Sequence, residues 1–252
     1  MAVPTSEEWL RIADEFNDVC KMPNCIGSID GKHCRINCPP NAGSLYFNYK
    51  SFHSMNLLVV ADANCCFTLI DVGAYGREND SSVFSNSSFG KAFSSGDSNV
   101  PSMRNIPGTS INMPLYFIAD EAFPLKPNLM RPFPRRELDF AKTIFNGKLS
   151  STRRTIECAF GILTKKFGIF QKAFETNVEV TECTIKSACV VYNYIRKTQT
   201  TEIKRREEEI LEQEQQNVTA SAELAACFGR PSTEALQVRE KLKDYFVSVL
   251  GR

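Results

Sequence analysis

Four short apolar runs, set between turn and helix signals, restrict this chain to a mixed α/β fold. Each run has the length and the β-branched or aromatic content of a buried strand, and Gly31 interrupts the first one. The turn residues Asp62-Ala63-Asn64 separate the second and third runs, which predicts a hairpin there. The predicted strands cover residues 25–36, 54–61, 66–74 and 115–120.

Helical periodicity occupies much of the remaining sequence. Predicted helices cover residues 6–18, 80–93, 137–147, 150–167, 178–196, 202–216 and 232–250. A chain of 252 residues, 42% of them hydrophobic, can bury one large core. We therefore expect residues 1–200 to form one domain, residues 201–231 a charged helix or linker, and residues 232–252 a C-terminal amphipathic helix.

Composition predicts a soluble, intracellular protein. No apolar run approaches the roughly 18 residues of a membrane span, and the N-terminus lacks the basic and apolar regions of a signal peptide. The ten cysteines are then expected to be reduced thiols. Net charge is only +1, but eleven Lys and Arg face five Asp and Glu between Asp120 and Lys172, which predicts a polyanionic partner for that segment.

Three acidic residues are placed where such a fold could bring them together. Asp30 and Asp120 belong to predicted strands, and Glu157 belongs to an amphipathic helix. Three strands, a helix, a fourth strand and further helices make up the order of a ribonuclease H-like α/β fold, with a mixed five-stranded sheet flanked by helices. Three carboxylates in such a fold could share two hard cations, Mg²⁺ or Mn²⁺, about 3.5–4 Å apart, which predicts phosphodiester hydrolysis.

Several longer motifs resemble the DDE domain of PIF/Harbinger transposases and the nucleases derived from them. The resemblance covers roughly residues 9–196 and implies that Asp30, Asp120 and Glu157 are the DDE triad of a metal-dependent DNA-cleaving enzyme. It rests on CIGSIDGKH at 25–33, YFNYKSFHSMNLLVVADANCCFTLIDVGAYGRENDSSVF at 46–84, FIADEAFPL at 117–125 and STRRTIECAFGILTKKFGIF at 151–170.

The chain departs from the family pattern in two places. Cys158 follows the glutamate where the family commonly has Asn, and Thr152 stands where it has Ala; neither change removes a metal ligand. Relatives usually carry a helical region upstream, whereas about 20 residues precede the first strand here. The resemblance therefore implies that site recognition is absent or comes from a Myb-like partner protein. It also implies a homodimer located in the nucleus, with the cytoplasm as a second location.

Other polar residues have competing interpretations. Asp62 and Asp71 are rival carboxylates, ranked below the triad because they lie outside the family positions, although spacing alone leaves Asp71 open as a ligand. Asp80 is interpreted as a helix cap, or alternatively as a residue that supports the metal ligands. Strand alternation sends His33 to the face opposite Asp30, which predicts a core or supporting histidine unless a bulge at Gly31 turns it towards the metals.

Basic and sulfur-containing residues complete the candidates. Arg153, Arg154 and Lys165 share a helix face with Glu157, so they either hold DNA phosphates or form a solvated face. A zinc site is disfavoured because no C-x₂-C pair occurs and His33 is adjacent to Cys34.

The sequence thus predicts a transposase-derived, divalent-metal-dependent DNA endonuclease that contacts the DNA backbone without reading sequence. The alternative is a domesticated, non-catalytic scaffold that binds a Myb-like partner or chromatin. The intact acids argue against this alternative.

Overall fold

A computed structural model describes residues 2–215 and 230–250, and it confirms a mixed α/β architecture. Seven α-helices and seven strands are formed within these residues. In chain order they are α1 (Ser6–Cys20), β1 (Cys25–Arg35), β2 (Ser54–Ala61), β3 (Phe67–Tyr75), α2 (Asp80–Asn86), α3 (Ser88–Ser95), β4 (Arg104–Asn105), β5 (Asn112–Met113), β6 (Tyr116–Ile118), β7 (Leu129–Met130), α4 (Phe140–Lys166), α5 (Val178–Thr198), α6 (Thr201–Gln215) and α7 (Thr233–Leu250).

A mixed sheet of five strands organises the described residues, in the order β3-β2-β1-β6-β7. Strands β2 and β3 are antiparallel, whereas β6 runs parallel to both β1 and β7. The predicted hairpin is confirmed, because Asp62 Oδ1 accepts the Asn64 and Cys66 N–H groups in the turn. Helices flank this sheet, so the predicted fold class is confirmed and the arrangement agrees with a ribonuclease H-like fold.

The fifth strand, β7, is not among the predicted strands and forms in a Pro-rich segment. Its pairing uses the Phe117 and Ala119 N–H groups, which donate to Asn128 and Met130 carbonyls. An edge strand tolerates neighbouring prolines because only one side of it must pair. Two further short strands outside the predicted set, β4 and β5, form a small antiparallel pair.

Two predicted helix boundaries are wrong. The helix predicted for residues 80–93 is divided into α2 and α3 at Ser87, whose backbone is extended and whose Oγ accepts the Gly90 N–H. Conversely, the helices predicted at 137–147 and 150–167 are one continuous helix, α4. The polar residues at the expected break remain helical, and the Ser151 and Thr152 hydroxyls donate to the Lys148 carbonyl within the helix.

The chain divides into two compact units. Of the described residues, unit 1 comprises 30–91 and 155–215, and unit 2 comprises 2–29, 92–154 and 230–250. In unit 1, one face of β2 packs with Ile156, Leu163 and Tyr192 in a buried apolar cluster. In unit 2, the rings of Trp9 and Phe93 both pack edge-on against Phe117.

Helices α6 and α7 each contact other elements of their own unit. In unit 1, the fully buried Arg196 pairs with Glu208 on α6 at 2.6 Å. In unit 2, the Arg239 guanidinium of α7 lies 4.0 Å from the Phe133 ring centre, and Leu242 and Phe246 are buried. Helix α7 therefore docks within unit 2. Residues 216–229 of the predicted linker lie outside the described part.

None of the described helices combines the length and apolar character that a bilayer span requires. The nine cysteines among the described residues are free thiols, as predicted.

Candidate active site

Strand β1 presents the first candidate acid, Asp30, which is half-buried. Its Oδ1 accepts a hydrogen bond of 2.8 Å from the Gly31 N–H. Side chains alternate along a strand, so Asp30 shares a face with Lys32 and Cys34. Cys34 belongs to the apolar core of unit 1. Asp30 therefore lies on the face of β1 that packs against this core.

A contact of Lys32 connects this face of β1 with helix α4 in unit 1. Lys32 Nζ lies 5.8 Å from the centre of the Phe160 ring. Burial lowers the pKa of Lys32, and the Asp30 charge acts in the opposite direction. Phe160 stands three residues after Glu157, on a neighbouring position of the helix surface. Asp30 and Glu157 thus lie on the two elements that this contact joins.

Glu157 itself is half-buried, between two residues that face the core. Ile156 is fully buried, and Cys158 is 4% exposed within the same apolar cluster. The cysteine that replaces the family's Asn is therefore a packing residue here. Among the candidate phosphate-binding residues, Arg154 and Lys165 are exposed and Arg153 is half-buried.

The second candidate acid, Asp120, belongs to unit 2 and lies two residues after the end of β6. Asp120 is only 8% exposed, and its Oδ1 accepts the Ala122 N–H at 2.9 Å, which fixes the carboxylate in a tight turn. Within unit 2, parallel pairing sets Ser28 of β1 opposite Ile118 of β6.

The helix-cap interpretation of Asp80 is wrong. Asn79 is the N-cap of α2, with its side chain accepting the Ser82 N–H at 2.8 Å, and Asp80 is the first helical residue. The Asp80 carboxylate instead lies against Gly31. A Cβ atom added to Gly31 would come within 2.1 Å of Asp80 Oδ1, so no side chain fits there without displacement.

Asn56 fixes Asp80 in this place. Its Nδ2 donates to Asp80 Oδ1 at 2.7 Å, from a fully buried position on β2. Asp80 therefore lies next to Gly31, the residue whose N–H donates to Asp30 Oδ1. The sequence analysis missed Asn56, although a lone amide in the otherwise apolar run SMNLLVVA was a visible signal.

His33 lies with Ser54 and the aromatic residues of the following loop. Its Nδ1 is 2.9 Å from Ser54 Oγ, and its ring packs edge-on against Tyr49 and Phe52. Burial, with a smaller contribution from Lys50, lowers the pKa of His33 to about 4. The ring is therefore neutral at pH 7.

The rival carboxylates have local explanations. Asp62 accepts the backbone N–H groups of its own turn. Burial raises the pKa of Asp71, while Lys186 partly offsets that effect.

The donor chemistry of the three acids fits a hard divalent cation. Within residues 2–215 and 230–250, no three His, Cys, Asp or Glu side chains are already grouped as a metal site. Mg²⁺ nevertheless is commonly held by one or two carboxylates together with waters and substrate phosphates, so a preformed cage of three is not required. Thiol ligation fits less well, because burial raises the pKa of Cys34 to about 12.

Comparison with known proteins agrees with the resemblance to DDE domains that the sequence motifs indicate. The model of the family described as DDE superfamily endonuclease matches residues 29–193, a range that contains all three acids. The chain is 27% identical to the rat (Rattus norvegicus) protein named "Putative nuclease HARBI1" over 75% of this chain and 51% of that protein. It is 27% identical to the Arabidopsis thaliana "Protein ALP1-like" over 63% of this chain and 39% of that protein.

The human (Homo sapiens) protein that carries the HARBI1 name is 26% identical over 75% of this chain and 51% of its own length. The chain thus spans about half the length of the HARBI1 relatives it matches. The resemblance to Harbinger-derived DDE domains is confirmed. No solved structure gives a significant match to the chain.

Proposed function

The chain belongs to the DDE superfamily endonuclease family, and from this premise we propose that it is a transposase-derived, divalent-metal-dependent DNA endonuclease. The observation that carries the proposal is the family match, whose range of residues 29–193 contains Asp30, Asp120 and Glu157.

We assign these three acids as the residues that would hold Mg²⁺ or Mn²⁺, two ions in total. Their chemistry supports the assignment, since carboxylate oxygens are the ligands that these hard cations prefer. When bound, such ions polarise the scissile phosphate and lower the pKa of the attacking water. The protein contributes hard oxygen donors whose orientation is fixed, as the Ala122 N–H does for Asp120.

Basic residues of α4 would position the DNA backbone. Arg154 and Lys165 are exposed, and Arg153 lies one helical turn before Glu157. Guanidinium and ammonium groups bind phosphates without reading sequence, so sequence choice would come from a Myb-like partner. A nuclear location and a homodimer belong to the same proposal.

One observation favours a second candidate function. At 26–27% identity to relatives named as nucleases, a fold can be retained without the activity, so the domain could serve as a non-catalytic scaffold for a Myb-like partner or chromatin. This reading predicts DNA or partner binding without cleavage.

A plasmid-nicking assay with Mg²⁺ or Mn²⁺ tests the proposal. Asp120→Asn keeps the shape and the Ala122 hydrogen bond but removes the charge, so it should reduce nicking by more than about 100-fold. Asp71→Asn is the matched control and should retain nicking. Mn²⁺ should also raise the Tm of the wild type more than that of Asp120→Asn.

If wild type and Asp120→Asn are equally inert and Mn²⁺ changes neither Tm, the endonuclease proposal fails. Capture of a Myb-like partner by that inert protein would then establish the scaffold function.

A further inference from the structure

A short hairpin follows β1 in unit 1 and connects it to β2. Phe47 and His53 face each other across an antiparallel bridge, and the Asn48 N–H donates to the Phe52 carbonyl at 2.9 Å. The turn closes through the Ser51 N–H, which donates to the Asn48 carbonyl at 3.1 Å. Residues 46–54 are called the aromatic hairpin below.

Buried polar groups hold the aromatic hairpin in one conformation. The Asn48 side chain donates to Ser54 Oγ at 2.8 Å and accepts the Lys50 N–H at 2.9 Å. Ser54 is fully buried and also bonds to His33 on β1. These buried hydrogen bonds hold the turn in one conformation, so little conformational entropy would be lost when it binds a ligand.

Two aromatic rings project outward from this fixed turn. Tyr49 is 58% exposed and Phe47 is 44% exposed, although neither is needed to cover a core. The Tyr49 ring packs edge-on against His33, and the Phe47 ring packs edge-on against His53. About half of each ring is exposed, so each ring remains partly accessible to a stacking partner.

The surroundings of these rings are positively charged. Lys50 Nζ lies 5.3 Å from the Tyr49 ring centre, and the Arg35 guanidinium lies 4.5 Å from the Phe52 ring centre. Lys50 and Arg35 are both exposed. The sequence from residue 31 to residue 61 contains no Asp or Glu. Exposed aromatic rings beside cations, in a segment without acidic residues, are suited to bind a flexible polyanion whose repeating units contain aromatic rings.

We propose that the aromatic hairpin binds unpaired nucleotides of a DNA strand, with bases stacking on Tyr49 and Phe47 and phosphates contacting Lys50 and Arg35. The inference rests on the proposed endonuclease function and extends it to the DNA form that is bound. His33 stands three residues after Asp30, which places this support of the hairpin roughly 10 Å along β1 from that acid, on the opposite face of the strand. The surface therefore holds DNA that flanks the cleaved bond.

Fluorescence anisotropy of labelled DNA, measured in EDTA with the full chain, tests this binding apart from catalysis. The probe is a duplex with a short thymidine overhang, compared with the same duplex carrying an abasic overhang and with a blunt duplex. The wild type should bind the thymidine overhang more tightly than either control. Tyr49→Ala should weaken that binding by about 5- to 150-fold per lost stack, whereas Tyr49→Phe should retain it.

Tyr194→Ala is the matched control, because Tyr194 is an exposed tyrosine of the same unit on α5. It should leave overhang binding unchanged. Equal wild-type affinity for thymidine and abasic overhangs, or an equal loss in Tyr49→Ala and Tyr194→Ala, would overturn the inference. Since no cleavage occurs in EDTA, loss of nicking in the Asp120→Asn assay remains a separate outcome.

Discussion

Asn56 Nδ2 lies 2.7 Å from Asp80 Oδ1, and this pair places a carboxylate directly against the backbone of Gly31. Gly31 in turn donates its N–H to Asp30. A buried amide on β2 thereby reaches the first acid of the proposed triad through two neighbours.

The first prediction is that Gly31→Ala is tolerated only when Asp80 is shortened. The new Cβ would meet Asp80 Oδ1 at 2.1 Å, so we expect a loss of about 1–3 kcal/mol in the free energy of unfolding, together with reduced nicking. In an Asp80→Ala background the added cost should largely disappear. Urea unfolding of the two single variants and the double variant measures this coupling.

Gly147→Ala is the control for the first prediction, because an added Cβ there meets nothing within 4 Å. In a helix interior it should stabilise the protein by up to about 1 kcal/mol. An equal cost of Gly31→Ala in both backgrounds would show that Asp80 does not constrain Gly31.

The second prediction concerns pH. Burial lowers the pKa of His33 from 6.5 to about 4, so the unfolded chain binds the extra proton first as pH falls. The stability contributed by neutral His33 is complete above the unfolded value and is lost progressively as pH falls from about 6.5 to about 4. Thermal melts of wild type and His33→Gln should therefore converge with acidification, and parallel curves would contradict the prediction.

The third prediction separates thiols by burial. Cys38 and Cys183 are exposed and should be alkylated rapidly in the native protein. Cys34 and Cys189 should resist until unfolding, because burial raises the pKa of each thiol to about 12. Peptide mapping by mass spectrometry after brief iodoacetamide treatment distinguishes the four positions. Early labelling of Cys189 would show that the β2 and α5 packing opens.

Strand and helix types were largely predictable, because each depends on local periodicity. The hairpin at Asp62 and the apolar strand β2 were both visible as short patterns in the sequence. Strand β7 was not, since two residues within a Pro-rich segment become a strand only by pairing with β6. The continuity of α4 was likewise not visible, because the polar residues Ser151 and Thr152 resemble a helix break, whereas their hydroxyls bond to the Lys148 carbonyl inside the helix.

The candidate acids were named from motif order, but their supporting contacts required the fold. Asp80 was interpreted as a cap because it precedes an apolar helical pattern, and the adjacent Asn79 performs that role instead. Asn56 and Asp80 are 24 residues apart, and no local rule pairs them. The aromatic hairpin was also missed, because alternation of exposed rings with a buried Asn48 is not distinguishable from a strand.

An amide side chain has a donating end and an accepting end, and only the donating end of Asn56 is used. Its Oδ1 is buried and has no hydrogen-bond partner among the described residues. Asn56 therefore acts only as a donor, towards Asp80. Hydrolysis of that amide to an acid would barely alter the shape of β2, yet it would set two anions face to face behind Gly31. Deamidation at this single position would therefore add one negative charge next to the Asp80 carboxylate, on the Gly31 side of β1.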